Sequence, residues 1–373
     1  MQVQHVHGSY ADAIIYTVDN PLVAIDDYAL AQIQQLCDFE AVEGNCIRVM
    51  PDVHPGAGCV IGLTMTLASK VVMPNLVGVD IGCGVLVAKL RESALDFLRL
   101  DTIIAEKVPS GFDVHEKETA YEALDSLCCA KHVSISHAKK SLGTLGGGNH
   151  YIELDRGTDD AIYLVVHTGS RHLGKQVCEW YLKQGRKKHI PYALTFIEVD
   201  LAEQYLHDMQ IVQGFAQDNR ERIVHVIAKA MHWEIEDVFT SVHNYIDFRG
   251  SIPLLRKGAI AAGSDERLVI PCNMRDGAIL GLGKGNADWN FSAPHGAGRI
   301  GSRAQIRKTC TLSAFTKSME GIYSSCVRAD TLDESPFAYR SQEDILGAIA
   351  NTVVIQDIVK PVYNFKAGGK ERG

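Results

Sequence analysis

Six short clusters, most of them framed by glycine, constrain this chain more than any other feature. They are PDVHPGAG (51–58), GVDIGCG (78–84), GTLGGGNHYIE (143–153), VVHTGSRHLG (165–174), SVHNY (241–245) and APHGAGR (293–299). Each sets a histidine, aspartate or cysteine on a turn beside an apolar run. Glycine supplies the positive φ that such turns need. The chain's 33 glycines gather in these clusters rather than in linkers, so they describe polar side chains held at strand ends.

Between the clusters lie ordinary elements. The spacing of DDYALAQIQQLCDFE (26–40) predicts a helix capped by Asp26 or Asp27. CIRVM (46–50) and IYLVVH (162–167) read as buried strands, being β-branched-rich and bounded by turn residues. Helical periodicity runs from about 196 to 232, and residues 114–141 also read as helical with one polar side. No repeat, low-complexity tract or Pro/Ser-rich linker divides the chain. The expectation is a single unit over 1–373, mixed α/β (α+β), with a central sheet arrangement and one metal/nucleotide cleft where the turns converge. The tail from about 367, KAGGKERG with its first lysine at 366, reads as frayed.

Composition narrows the class. At 46% hydrophobic, the chain can bury a large core, yet no apolar run approaches the roughly 18 residues of a membrane span. The start, MQVQHVHGSY, shows no secretory pattern. Ten cysteines without CxxC pairing argue against a disulfide scaffold and for a reducing, cytoplasmic setting. A net charge of −8 counts against coating long nucleic acids but not against gripping an RNA end. Two local basic runs stand out: Lys183, Arg186, Lys187 and Lys188, and Arg299, Arg303, Arg307 and Lys308.

Asp80 and Cys83, three residues apart in a glycine-framed turn, offer a carboxylate and a thiolate to one site, and sulfur can bridge two cations. With His150, His167 and His243 they make a mixed N/S/O set that suits zinc, cobalt, iron or manganese by softness. HGAGR (295–299) sets a histidine beside backbone N–H groups and a guanidinium, a setting for phosphate. Histidine can serve there as a covalent nucleophile oriented by a carboxylate.

In their order MPDVHPGAG, GVDIGCGV, GTLGGGNHYIEL, VHTGSRHLG, VHN, LRKGA and HGAGRIGSR, these segments closely resemble the RtcB family of RNA ligases, from near DDYALAQ to VYNFK. The resemblance implies two manganese ions bridged by Cys83. Asp80 and His150 would complete one ion's protein ligands, His167 and His243 the other's. It implies GTP as the second substrate, His295 as the residue that carries GMP, and Asp52 as its orienting carboxylate. Asn149 and the backbone of Gly296, Ala297 and Gly298 would hold the phosphate, with Pro271, Cys272, Asn273 and Met274 against the nucleotide. Glu153 would accept from guanine N1 and N2, and Lys366 would donate to O6. Tyr151, Ile152, Asn244 and Ala278 complete the expected nucleotide surroundings, together with His150 and His243. Arg171, Arg299 and Arg303 would meet RNA or triphosphate.

The implied reaction joins an RNA 3′-phosphate, or a 2′,3′-cyclic phosphate opened first by water, to a 5′-hydroxyl in RNA repair. It proceeds through enzyme-histidine-GMP and RNA-(3′)pp(5′)G. A translation-factor-like partner is also implied, and no membrane. The chain departs from the family pattern at Ala278, at Arg275–Asp276, at Pro294, in a short 91–142 region, and in the residues after Lys366. Two alternatives stay open: a metal-dependent cyclic phosphodiesterase, and an RNA-end-binding protein without ligation. Covalent labelling by α-labelled GTP separates all three.

Overall fold

The computed structural model describes residues 1–20, 24–68, 71–92, 94–187 and 189–367. The expected frayed tail, apart from Ala367, and Lys188 of the first basic run therefore lie outside the described residues.

Two sheets carry the architecture, and the mixed α/β expectation holds. The first has six strands in the order Gln2–His7, Asp12–Thr17, Ile47–His54, Ile61–Thr66, Leu254–Lys257 and Asn244–Asp247. The second has seven: Ile235–Val242, Gly84–Leu90, Ile162–Thr168, Tyr151–Arg156, Val353–Lys366, Gly277–Gly283 and Arg267–Asn273. Within them pairing is antiparallel, except where Asp12–Thr17 meets Ile47–His54. Both strands anticipated from β-branched runs are present within these sheets.

Register in the seven-stranded sheet decides where the chemistry sits. Lys366 pairs with Tyr151, Tyr151 with His167, His167 with Val85, and Val85 with Ser241. One line across the sheet thus brings four of the sequence clusters to a single edge. Because side chains alternate along a strand, Tyr151 and Glu153 share one face. Ile152 turns to the other, where it packs with Leu86, Val166, Ile223 and Ile227.

The helix Asp27–Cys37 forms as its spacing predicts, and the Asp26 carboxylate accepts from the N–H groups of Tyr28 and Ala29. The long helix is Val199–Met231, roughly 50 Å at 1.5 Å per residue. Its N-terminal half buries Tyr205, Met209, Val212 and Phe215 in one core. Its C-terminal half buries Ile223, Val224 and Ile227 against the seven-stranded sheet.

The helical reading of 114–141 is corrected. That stretch contains short 3-10 turns at Glu122–Ser126 and Ala130–His132, and only one α-helix, Ile135–Ser141. The cause is competition for backbone donors. The buried Asp208 carboxylate accepts from the N–H groups of Cys128 and Cys129, and those of His115 and Thr119 go to carbonyls of Lys140 and Lys139. Donors spent this way are withdrawn from a continuous helical ladder.

Two polar residues on the inner face of the long helix hold the turns together. Arg220 Nη1 donates to the carbonyls of Gly82 at 2.8 Å and Thr168 at 2.9 Å. The Asn219 side chain accepts from Gly143 and Thr144 N–H at 2.7 and 3.1 Å, and donates to the Thr144 and Gly169 carbonyls at 3.0 and 3.2 Å. All these groups are buried. Arg220→Met keeps the apolar stem but strands two carbonyls, so it should cost about 3 kcal/mol. Urea denaturation checks this, and a change within about 0.5 kcal/mol, as expected of an inert surface site, would refute it.

Candidate active site

Cys83, at the turn before strand Gly84–Leu90, is the centre of a ligand cluster. Its Sγ lies 3.5 Å from His150 Nε2 and 3.4 Å from His167 Nε2. Asp80 Oδ2 lies 3.2 Å from the same His150 nitrogen, while Oδ1 accepts from Ser170 N–H at 2.9 Å. Gly169 makes room for that carboxylate, since a Cβ there would come within 2.2 Å of Asp80 Oδ1. The rings of His150, His167, His243 and His295 follow one another with centroids 5.2, 5.2 and 4.9 Å apart.

The remaining ring nitrogens orient the ligands. His150 Nδ1 is 3.0 Å from the Leu145 carbonyl, and His167 Nδ1 is 3.2 Å from that of Asn149. The Asn149 carbonyl assigns the His167 proton to Nδ1 and leaves its Nε2 with a lone pair, whereas His150 Nδ1 also meets the Arg171 guanidinium at 3.1 Å. His243 Nδ1 is buried with no hydrogen-bond partner among the described residues.

Electrostatics agree with a cation site. Burial, reinforced by neighbouring histidines, holds His167 and His243 well below the ordinary histidine range, so both are neutral donors. Burial would raise Asp80, but His150 and Arg171 outweigh it and keep the group ionised. Burial and then Asp80 push the Cys83 thiol far up. A thiol held protonated beside two imidazoles and one carboxylate is a site that divalent metal would complete, by displacing the proton. The donor set therefore fits a divalent cation.

His295 stands at the far end of this row. Its Nδ1 is 2.6 Å from Asp52 Oδ2, and its backbone N–H donates to the same oxygen at 3.1 Å. Asp52 is fully buried, and Gly298 makes way for it, because a Cβ there would meet the Asp52 carbonyl at 2.5 Å. With Nδ1 engaged, Nε2 carries the free lone pair.

His295 also lines a cavity of about 280 Å³. Of the expected contacts, Asn149, Tyr151, Glu153, His167, Pro271, Cys272, Asn273, Met274, Gly296, Ala297, Gly298, Arg299, Arg303 and Lys366 form its walls. Five do not reach it. Ile152 faces the opposite core, and Ala278 is packed between Val85, Val165 and Val359. Asn244 ties turns together, donating to the Asp80 carbonyl and accepting from Gly258 N–H. His150 belongs to the Cys83 cluster, and His243 bridges that cluster to His295. Arg171 and Asp80 open instead onto a larger neighbouring cavity of about 800 Å³.

Several residues escaped sequence reasoning. His54 and Tyr339 are walls of the nucleotide-sized cavity. His54 lay in a quoted cluster but had no separate signal, and burial lowers it to about 4. Asp333 and Glu334 anchor the cations expected to meet phosphate and guanine. Lys366 Nζ pairs with Glu334 Oε2 at 2.6 Å, and Arg299 and Arg303 also reach Glu334. Arg303 and Arg307 pair with Asp333. Burial alone would raise Glu334, yet Lys366, Arg303 and Arg299 bring it down to about 2. The first basic run is elsewhere: Lys187 pairs with Glu198, and Arg186 lies over Tyr192.

A ligand cluster that opens, through one oriented histidine, onto a nucleotide-sized cavity is the kind of site that metal-assisted group transfer requires. The chain belongs to the RtcB family: the family model described as tRNA-splicing ligase RtcB matches residues 32–135 and 128–367. It is 27% identical to the RNA-splicing ligase RtcB1 of Escherichia coli over 368 residues, 86% of this chain and 88% of that protein. The tRNA-splicing ligase RtcB of Aeropyrum pernix is 27% identical over 93% of this chain and 92% of its own. RNA-splicing ligase RtcB2 of Escherichia coli is 26% identical over 96% and 97%.

Cys83→Ala should bind less divalent metal than the unmodified protein, since no other residue in the cluster supplies a thiolate. His295→Ala leaves the Cys83 cluster in place and should match the metal content of the unmodified protein. Metal analysis of both variants decides the assignment, and unchanged metal content in Cys83→Ala would overturn it.

Proposed function

We propose that the protein is a GTP-dependent RNA ligase, with residues 1–373 acting as one catalytic unit. It would join 3′-phosphate or 2′,3′-cyclic phosphate ends to 5′-hydroxyl ends, in the manner of RNA repair. The observation that carries this reading is His295: a buried carboxylate holds Nδ1, and the ring lines a nucleotide-sized cavity beside the Cys83 cluster.

Asp80, Cys83, His150, His167 and His243 would hold two manganese ions, which when bound would neutralise phosphate charge during transfer. His295 Nε2 attacks the α-phosphorus of GTP; a P–N bond forms and pyrophosphate leaves. Asp52 keeps the Nδ1 proton in place and stabilises the positive ring. An oxygen of the RNA 3′-phosphate then attacks the same phosphorus, and the P–N bond breaks to leave a diphosphate-linked end. The 5′-hydroxyl of the second RNA attacks the 3′-phosphorus, its proton passes to solvent, and GMP departs. Glu153 reads guanine N1–H and N2–H, and Lys366, already fixed by Glu334, offers a remaining proton to O6. Adenine would leave both groups unpaired.

With manganese and α-labelled GTP the protein should acquire acid-labile, base-stable label, and His295→Ala should acquire none. Two RNA fragments should be joined only when the acceptor carries a 5′-hydroxyl. Joining with preference for a 5′-phosphate refutes the end chemistry. Opening of cyclic ends without label would favour a phosphodiesterase.

A pH dependence follows from Glu153. Burial raises its carboxyl to about 7, with Lys366 and Asn364 pulling the other way. Guanine needs the ionised form, so protonation competes with binding below that value and not above it. The apparent affinity for GTP should climb with pH by up to about tenfold per unit below about 7, then level off. Glu153→Gln should bind GTP weakly with a flat profile. A profile unchanged by this substitution would remove Glu153 from guanine recognition.

A further inference from the structure

We propose that Cys128, His207 and Asp208 form a separate zinc site, clipping the 114–141 segment to the long helix. Cys128 Sγ is 3.7 Å from His207 Nδ1, and Nδ1 is 3.2 Å from Asp208 Oδ1. All three ligand atoms lie within 4.8 Å of one another. Tetrahedral zinc, with bonds of about 2.3 Å to sulfur and about 2.0 Å to nitrogen and oxygen, sets S···N near 3.6 Å and N···O near 3.3 Å. The cluster around Cys83 shows the same edges, 3.5 and 3.4 Å for S···N and 3.2 Å for N···O.

The carboxylate is prepared for one more partner. An ionised carboxylate has about four lone-pair positions. In Asp208 three are taken, by Cys128 N–H at 2.7 Å, Cys129 N–H at 3.0 Å and Tyr181 O–H at 2.8 Å. The fourth faces His207 Nδ1. A nucleophilic cysteine triad does not fit, because its histidine must use different nitrogens for the thiol and the carboxylate. Here one nitrogen meets both. One thiolate, one imidazole and one carboxylate suit zinc. Cys128 is exposed and His207 half-exposed, which leaves the fourth corner to water. Cys128 enters as a thiol, so binding releases one proton to solvent as the S–Zn bond forms.

The test uses the full chain with zinc alone as probe and mass spectrometry to follow alkylation at each cysteine. Zinc should slow modification of Cys128 by about tenfold or more, while Cys46 and Cys310, which lie outside the cluster, keep their rates. His207→Ala alters a half-exposed side chain and should lose the protection. Unchanged Cys128 alkylation in excess zinc overturns the proposal. So does equal protection in His207→Ala, which would mean that the thiol binds zinc without this site.

Discussion

A buried guanidinium is the fastening on which the site depends. The turns that carry Cys83 and that follow His167 come from strands that neighbour each other, but strand pairing fixes only their backbones up to the last ladder bond. Beyond it each turn could lean either way. Arg220 removes that freedom by donating from one nitrogen to a carbonyl in each turn, and Asn219 does the same for 143–144 and 169. Both sit on a helix that buries apolar side chains in two cores, so their position is set by core packing. Rigidity passes from the core to the ligands through these two side chains. Arg220 has a second effect: its charge partly offsets the burial and the Asp80 repulsion that keep Cys83 protonated.

The same separation of roles appears around His295. Asp52 comes from strand Ile47–His54 of the six-stranded sheet, whereas the cavity walls at Tyr151, Glu153 and Lys366 come from the seven-stranded one. The histidine is thus oriented by one sheet and presented to a cavity built largely by the other. Its Nδ1 bond is short and buried, so the ring has one free nitrogen.

Legibility in the sequence followed the range of the interactions. The Cys83 cluster and His295 were visible as candidates because metal and phosphate chemistry restricts residue type, and turns restrict their neighbours to glycine. The 199–231 helix and the strands were visible because periodicity is local. Asn219 and Arg220 were not: in FAQDNRERIVHVI they read as two more polar residues, and nothing local says which face meets a turn. Asp333 and Glu334 were hidden for a related reason, since their partners at 299, 303 and 366 lie roughly 30 residues away along the chain. Ala278 drew attention as a departure near the nucleotide, yet alternation and register bury it behind the wall. Arg275 and Asp276 pair with each other, and the Asn273 side chain caps their turn. Those departures rebuild a hairpin end.

The acidic pair bears on how a chain of net charge −8 could serve the proposed phosphate chemistry. Lys366, Arg299 and Arg303 are not a bare basic patch, because Glu334 and Asp333 already hold them. A phosphate arriving there gains less than it would from unpaired cations, since each guanidinium divides its donors. It also loses less, because the side chains are ordered before it arrives. Free cations on flexible stems would attract any polyanion at long range. Cations fixed by buried carboxylates act best on a group that fits between them, and under the proposed function a preference for a strand end over a strand would come from that fit.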